Sequence, residues 1–522
     1  VNVEAPTIEV SSKAASRAIS QTLASIHNDI GAVKRMSKQA IFADLAWLLF
    51  ALHIVRIRQT DAAFSLPEPI GTDYASLVLL EEGLKYAIQT VTKYGKLTKK
   101  LRDPVNYLAQ RVSSLGDLVR RANLIHAKYA NVSLLGLCHA YVESDSQGRA
   151  SIDLNAARAD PEITPLYDYF RRLEVHMEVA KQPIPSHQLV ESFLASFSGL
   201  EDLFEAAFHV STSSFALVVN HLLDSVIDAF RSRENSFPRA AEDRIDTSHP
   251  LSSIIWGESL LIPLSGIDAR FGAAAAAALR EFLFDKATFD PKNLDYHQVY
   301  RTPILPYDSS LIVVSPELLL DSLNSNVHYT LLEAHPKVSE QYKARASHRF
   351  VDEISQTCRD HGYEEVARDL QLVDGSTRLG DVDLVARNAK GHYLLVEAKN
   401  HSLPLSVYFK DPIATGRHLS YLRDSWEKPY LRRLAHLTQR AGDYAIPLDF
   451  SYIIVSRMPE VLSHFFGHLA ITKQELAHLL PIIGTVGSFG EVYTRLYPPG
   501  DSLSDEEVAN LLHDGLSVIR PA

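Results

Sequence analysis

Apolar residues recur every three to four positions through most of residues 1–332, the spacing of helices that bury one face. Residues 77–94 and 106–127 carry this pattern, 11–26 is rich in alanine and serine and 40–58 is strongly apolar, and all four are predicted helices. Residues 134–154 break it. An apolar run over 135–142, a polar turn over 143–148 and a second run over 150–154 predict a β-hairpin set among helices. Helical spacing resumes over 161–181 and 187–230. The polar stretch 231–249, followed by Pro250, predicts a loop that could divide this region into two helical subdomains. Turn and strand signals alternate over 301–314, and a helix is predicted over 316–323.

Beyond a charged stretch at 333–345 the period changes. A helix over 348–361 carries Phe350, Ile354 and Cys358 at four-residue spacing and stops before Gly362. A weakly marked strand over 365–373 follows, then a strand over 382–386, a turn at 388–391 and a strand over 392–398. Residues 419–441 are helical in pattern, with Pro429 predicting a break or kink. Residues 450–456 read as a short buried strand. This αβββαβ order predicts an α/β domain at 333–490 after the mainly helical region 1–332. A helical appendage over 491–522 is expected, because Pro498-Pro-Gly500 breaks the chain and Ser504-Asp-Glu-Glu507 is a capping box. The expected fold class is therefore α+β and multidomain.

A chain of 522 residues exceeds one ordinary core and predicts two or three domains. At 46% hydrophobic and 22% charged, the composition is globular. Cys138 and Cys358 are the two cysteines, far apart, which excludes a disulfide framework or cysteine zinc site and suits a cytoplasmic protein. The first residues carry Glu4 and no basic-then-apolar segment, so no secretory signal is expected. The most apolar run, 41–55, contains Asp44 and His53 and falls short of the ~20 residues needed to span a bilayer. It is predicted to be a buried helix, and no membrane association is expected. The net charge of −11 excludes a general polyanion binder, so nucleic-acid contact requires a local basic patch.

Such a patch follows the hairpin directly. Residues 399–440 hold eight basic side chains (Lys399, Lys410, Arg417, Arg423, Lys428, Arg432, Arg433 and Arg440) against three acids, Asp411, Asp424 and Glu427. Tyr408, Tyr421, Trp426 and Tyr430 interleave with them and could stack on bases. Alternation along the strands gives Asp381 and Asp383 one face, and Glu397 and Lys399 one face. If those faces coincide, carboxylates and one ammonium converge at the sheet edge, where carboxylate repulsion is ordinarily relieved by a bound cation. The alternative is a solvated Glu397–Lys399 ion pair. Other motifs carry little. His464 and His468 lack the glutamate of a zinc-protease helix, Gly484-x-x-Gly487-x-x-Gly490 lacks the Lys-Ser/Thr of a phosphate loop, and no Gly-x-Ser-x-Gly occurs.

Gly380-Asp381-Val382-Asp383-Leu384-Val385, followed by Tyr393-Leu-Leu-Val-Glu397-Ala398-Lys399, resembles the PD-(D/E)XK nuclease superfamily of restriction-endonuclease-like fold. In motif form it is most similar to the Holliday-junction-resolvase-like branch. The resemblance covers roughly residues 345–460, under a quarter of the chain. It implies a metal-dependent endonuclease, a hydrolase of phosphodiester bonds, acting on nucleic acid and most readily on DNA. Asp383, Glu397 and the backbone carbonyl of Ala398 would hold Mg2+ or Mn2+, and Lys399 would orient a water and neutralise developing charge. Further candidates are Asp381, Gln439 and Glu353, although the helix position where resolvase-like members carry glutamate is Val351 here. Lys410, Arg417, Arg423, Lys428, Arg432 and Arg433 would contact phosphates. Residues 1–332 would select the substrate or bind a protein partner. A catalytically weak nuclease-fold binding module is the alternative.

Overall fold

The computed structural model describes residues 13–65, 72–144, 150–180, 186–236, 250–294, 297–333, 335–401, 403–408 and 411–497. It is mixed α+β, with a large helical N-terminal region and a five-stranded C-terminal sheet. The described residues divide into two compact units, one within 13–19, 133–180 and 343–497, the other within 20–132 and 181–342. The first unit therefore recruits a segment from far upstream, a division that the single cut predicted near 333 does not contain. The reason lies in its apolar residues. Leu166, Tyr169 and Leu173, on the helix Thr164–Ala180, bury in the same core as Leu395, Tyr430 and Ile454 of the C-terminal sheet and its helices.

In that first unit the helix α1 (Pro336–Asp360) leads into strands β1 (Tyr363–Asp374), β2 (Thr377–Asn388) and β3 (Tyr393–Lys399). Helices α2 (Pro412–Leu422) and α3 (Lys428–Arg440) precede β4 (Phe450–Ser456), and β5 (Ala470–Thr472) follows. The sheet order is β5-β4-β3-β2-β1, with the β1–β2–β3 meander antiparallel and β3–β4 and β4–β5 parallel. The hairpin turn forms because the Asn388 side chain accepts the N–H groups of Lys390 and His392 while Gly391 supplies φ +83°. Pro429 has no N–H to donate, and the residues before it, Arg423–Glu427, form a π-helical turn joining α2 to α3.

The two faces of the sheet bury different sets. Leu384, Ala386, Leu394 and Val396 pack against Phe350, Val351, Ile354 and Cys358 of α1. Val385, Leu395 and Tyr452 pack with Leu419, Trp426, Tyr430 and Leu437 of the α2–α3 segment. Arg172 is fully buried, forks onto the Glu475 carboxylate at 2.6 and 2.7 Å, and lies 4.1 Å over the Phe489 ring. The hairpin predicted over 134–154 shrinks to 142–144 paired with 150–152, because the long helix Pro104–Leu137 absorbs its start.

The second unit is helical around a three-stranded sheet, Leu261–Pro263, Leu311–Val314 and Ile304–Pro306 in that spatial order. Its interior holds a charge network. Lys85, fully buried, bonds Glu81, Asp321 (3.0 Å) and the Tyr300 hydroxyl (2.9 Å), and Arg56 pairs with Glu81 and Asp321. One helix of this unit, Thr212–Glu234, is long and apolar enough to cross a membrane by length and composition. Phe215, Val218, Val219, Leu222 and Val226 are buried along it at the spacing of a core-facing helix. The loop predicted over 231–249 is helical to Ser236, and 237–249 lie outside the described residues, as does the capping box of the C-terminal appendage.

Candidate active site

The register of the meander sets the candidate carboxylates side by side. Leu384 pairs with Val396, which places Asp383 opposite Glu397 on the neighbouring strand. Arg368–Leu384 and Leu370–Val382 pairings flank Asp369, which falls opposite Asp383 on the other side. Three acids, Asp369, Asp383 and Glu397, thus run in one row across β1, β2 and β3. Oxygens of Asp369, Asp381 and Asp383 lie within 4.8 Å of one another. Asp369 was not a sequence candidate. Its strand is weakly marked, and only the pairing register shows that it shares the row. Its backbone is left-handed (φ +49°), a conformation Asp tolerates better than most residues.

Asp383 is half-buried and accepts the Ala398 N–H at 2.7 Å. Burial, followed by the Glu397 charge, pushes its carboxyl up to about 6, against the pull of Lys399 and the Ala398 bond. Glu397 is buried (4% exposed) and accepts from three donors. Its Oε1 accepts from Lys399 Nζ at 2.8 Å and from Arg433 Nη2 at 2.5 Å, and its Oε2 accepts from the Tyr452 hydroxyl at 2.6 Å. Arg433 Nε also donates to the Tyr452 oxygen at 3.0 Å, and Tyr430 stacks on Tyr452 with centroids 4.4 Å apart. Gly380 makes room for this guanidinium. A Cβ there would come within 2.8 Å of Arg433 Nη1, and the backbone sits at φ +109°.

Asp383, Glu397 and Lys399 are therefore brought together, with Asp381 beside Asp383 and Ala398 tied to it through its N–H. Glu353 is not. It faces Lys473 (2.7 Å), Arg349 (3.6 Å) and Arg457 (3.7 Å), on the helix that covers the opposite sheet face. Arg433, predicted as a phosphate contact, is turned inward (7% exposed), because the buried Glu397 carboxylate needs a cation. Trp426 and Tyr430, predicted to stack on bases, belong to the core, whereas Tyr421 is exposed.

The rest of the basic stretch is partly self-neutralised. Lys428 pairs with Asp424 (2.5 Å), Arg423 with Glu427 (3.7 Å) and Arg440 with Asp374 (3.6 Å). Arg417 and Arg432 are exposed, and Arg432 donates to the Leu379 carbonyl at 3.0 Å, next to the acidic strand. Gln439 is exposed on the last turn of α3, and Lys410 lies outside the described residues.

The donor set is the all-oxygen type that hard divalent cations take, since carboxylates set side by side gain from sharing one. A carboxylate offers about four acceptor positions, and three at Glu397 are in use, which leaves one. Compared with protein-family models, curated proteins and solved structures, the chain matches none.

Proposed function

We propose that the first unit is a metal-dependent nuclease of the PD-(D/E)XK kind, of restriction-endonuclease-like fold, hydrolysing phosphodiester bonds in nucleic acid, with DNA the expected substrate. The observation that carries this reading is the row Asp369–Asp383–Glu397 with Lys399 ion-paired at its end and Asp383 raised by burial and then by the Glu397 charge. Asp383, Asp381 and the remaining acceptor position of Glu397 would hold Mg2+ or Mn2+. Such an ion stabilises charge on a phosphodiester and acidifies a bound water. Lys399 is the group placed to neutralise charge as it develops at phosphorus. Arg433 and Tyr452 fix the Glu397 carboxylate so that its free acceptor position keeps one direction. Arg417 and Arg432 are the exposed cations available to a phosphate backbone. The helical second unit would choose substrate or partner.

A second reading has one specific observation behind it. Three donors already satisfy Glu397, as they would in a nuclease fold that binds nucleic acid or protein without cleaving. A cleavage assay on DNA and RNA substrates with magnesium, manganese or chelator separates the two. Metal-dependent cleavage that Lys399→Ala slows with little change in substrate affinity fits the first reading. Binding without cleavage under every condition, equal in wild type and Lys399→Ala, overturns it.

A further inference from the structure

Two residues beyond Lys399 the chain builds a second donor cluster of a different chemical type. His401 leaves the end of β3, His418 projects from α2, and Glu460 comes from the loop after β4. One ligating atom from each lies within 4.8 Å of the others. His418 Nε2 sits 2.7 Å from Glu460 Oε2, and the His401 and His418 rings stack at 5.5 Å with 13° between their planes.

Hydrogen bonding within the protein leaves this cluster incomplete. Glu460 is 1% exposed, yet its Oε1 is a buried acceptor with no hydrogen-bond partner among the described residues. His401 Nε2 is likewise buried and unpartnered. Orphaned polar atoms in an interior are costly and rare. Arg172 does not resolve the matter, because it reaches only the Glu460 backbone carbonyl, at 3.4 Å, while its guanidinium forks onto Glu475. A neutral imidazole offers a ring-nitrogen lone pair to a metal. The Trp426 ring stands edge-on to His401 at 5.7 Å, and the Tyr421 ring lies 6.2 Å from both imidazoles, giving the cluster an aromatic wall.

We propose that His401, His418 and Glu460 form a binding site for a divalent transition metal of the zinc class, with a fourth position left open. Two imidazoles and one carboxylate are a three-ligand zinc set, and imidazole favours zinc over magnesium, which prefers oxygen alone. With metal–ligand distances of about 2.0–2.1 Å, tetrahedral ligands lie roughly 3.3 Å apart, so the observed cluster needs a short contraction of His401 and a slight parting of the other two. The ion would satisfy Glu460 Oε1 or His401 Nε2 and would brace the end of β3 against α2, directly behind Lys399. The site differs in donor type from the all-oxygen row and does not depend on the nuclease reading.

The test uses the full chain stripped with chelator, then titrated with zinc against a chromophoric competitor and separately with cobalt. Wild type should take up one equivalent of zinc tightly, and cobalt should give the absorption bands of a tetrahedral nitrogen–oxygen site. His401→Ala, at a partly exposed position that tolerates truncation, should lose about a hundredfold or more in zinc affinity and lose the cobalt bands. Glu460→Gln should do the same if it folds, and His401→Ala decides alone if it does not. Wild type without tight zinc uptake overturns the proposal. So does zinc uptake undiminished in His401→Ala, the result expected of an ion lodged on the Asp369–Asp383 row or on scattered surface histidines.

Discussion

Asp383→Asn should make the protein more stable at neutral pH, although it removes a candidate metal ligand. The amide keeps an oxygen for the Ala398 N–H, so the one hydrogen bond Asp383 makes is preserved. What it removes is a negative charge held in a half-buried row beside Glu397, Asp381 and Asp369. The carboxyl moves from 3.8 to about 6 on folding, and at about 1.4 kcal/mol per pH unit that corresponds to an upper figure of about 3 kcal/mol. The sign follows from proton linkage. Between pH 4 and 6 the native state binds more protons at this residue than the unfolded chain does, so wild-type stability falls as pH rises through that window. Below it the carboxyl is protonated in both states and the charge penalty vanishes.

The difference between Asp383→Asn and wild type should therefore be near zero below pH 4 and climb to its plateau above pH 6. Urea unfolding of the first unit can be followed by Trp426, which is buried there, with Trp47 and Trp256 of the second unit replaced by Phe. Magnesium should narrow the gap by stabilising wild type and leaving the amide variant nearly unchanged. A variant no more stable than wild type at pH 8, or a gain that is the same at pH 4 and pH 8, would refute the reasoning. Either result would mean that the row is solvated and its repulsion screened.

Arg172→Met should lower the stability of the first unit by about 3–5 kcal/mol, because it strands the buried Glu475 carboxylate; an unchanged urea midpoint would detach the Thr164–Ala180 helix from that core. Lys85→Met should cost the second unit a similar amount, about 3–5 kcal/mol, since it removes one of the two cations that pair with both Glu81 and Asp321. Calorimetry showing no loss in that unit's transition would remove the network from its stability. Arg432→Glu should weaken DNA binding and flatten its salt dependence with little effect on unfolding, because the side chain is exposed. Arg433→Glu should instead collapse the site by facing Glu397 with a second carboxylate, and equal, purely electrostatic effects of both reversals would contradict the burial of Arg433.

Local pattern was enough for the C-terminal sheet because its strands are marked by alternation and by turn chemistry. Gly362, Asn388 and Gly391 punctuate the chain where the structure turns, and the strand predicted over 450–456 has those bounds. The order helix, three strands, helix, strand was legible for the same reason. What local pattern could not carry was partnership over long separations. Nothing in residues 133–180 announces that Tyr169 and Arg172 answer Pro459 and Glu475, about three hundred residues away. The basic stretch misled in the same way. Eight cations counted along the chain read as a surface, but Arg433 faces inward from its helix to an acid on a strand, and others meet their own neighbours. Glu460, set on no motif, becomes interesting only once His401 and His418 stand beside it.

The functional readings divide at Glu397. Lys399 and Arg433 both compensate that single carboxylate, so positive charge is concentrated at one end of the acidic row. Asp369, Asp381 and Asp383 form the other end, where burial, followed by the Glu397 charge, raises the Asp383 carboxyl. A carboxylate whose charge is held in a half-buried row beside other acids is a poor structural device, because its charge is costly there. Such a charge is relieved when a cation is shared across the row. On this reasoning the metal would lean toward β2, on Asp383 and Asp381, with Glu397 giving only its remaining acceptor position. Lys399 would then stand at the boundary between the cation and the incoming phosphate, where a charge is most useful to the transition state.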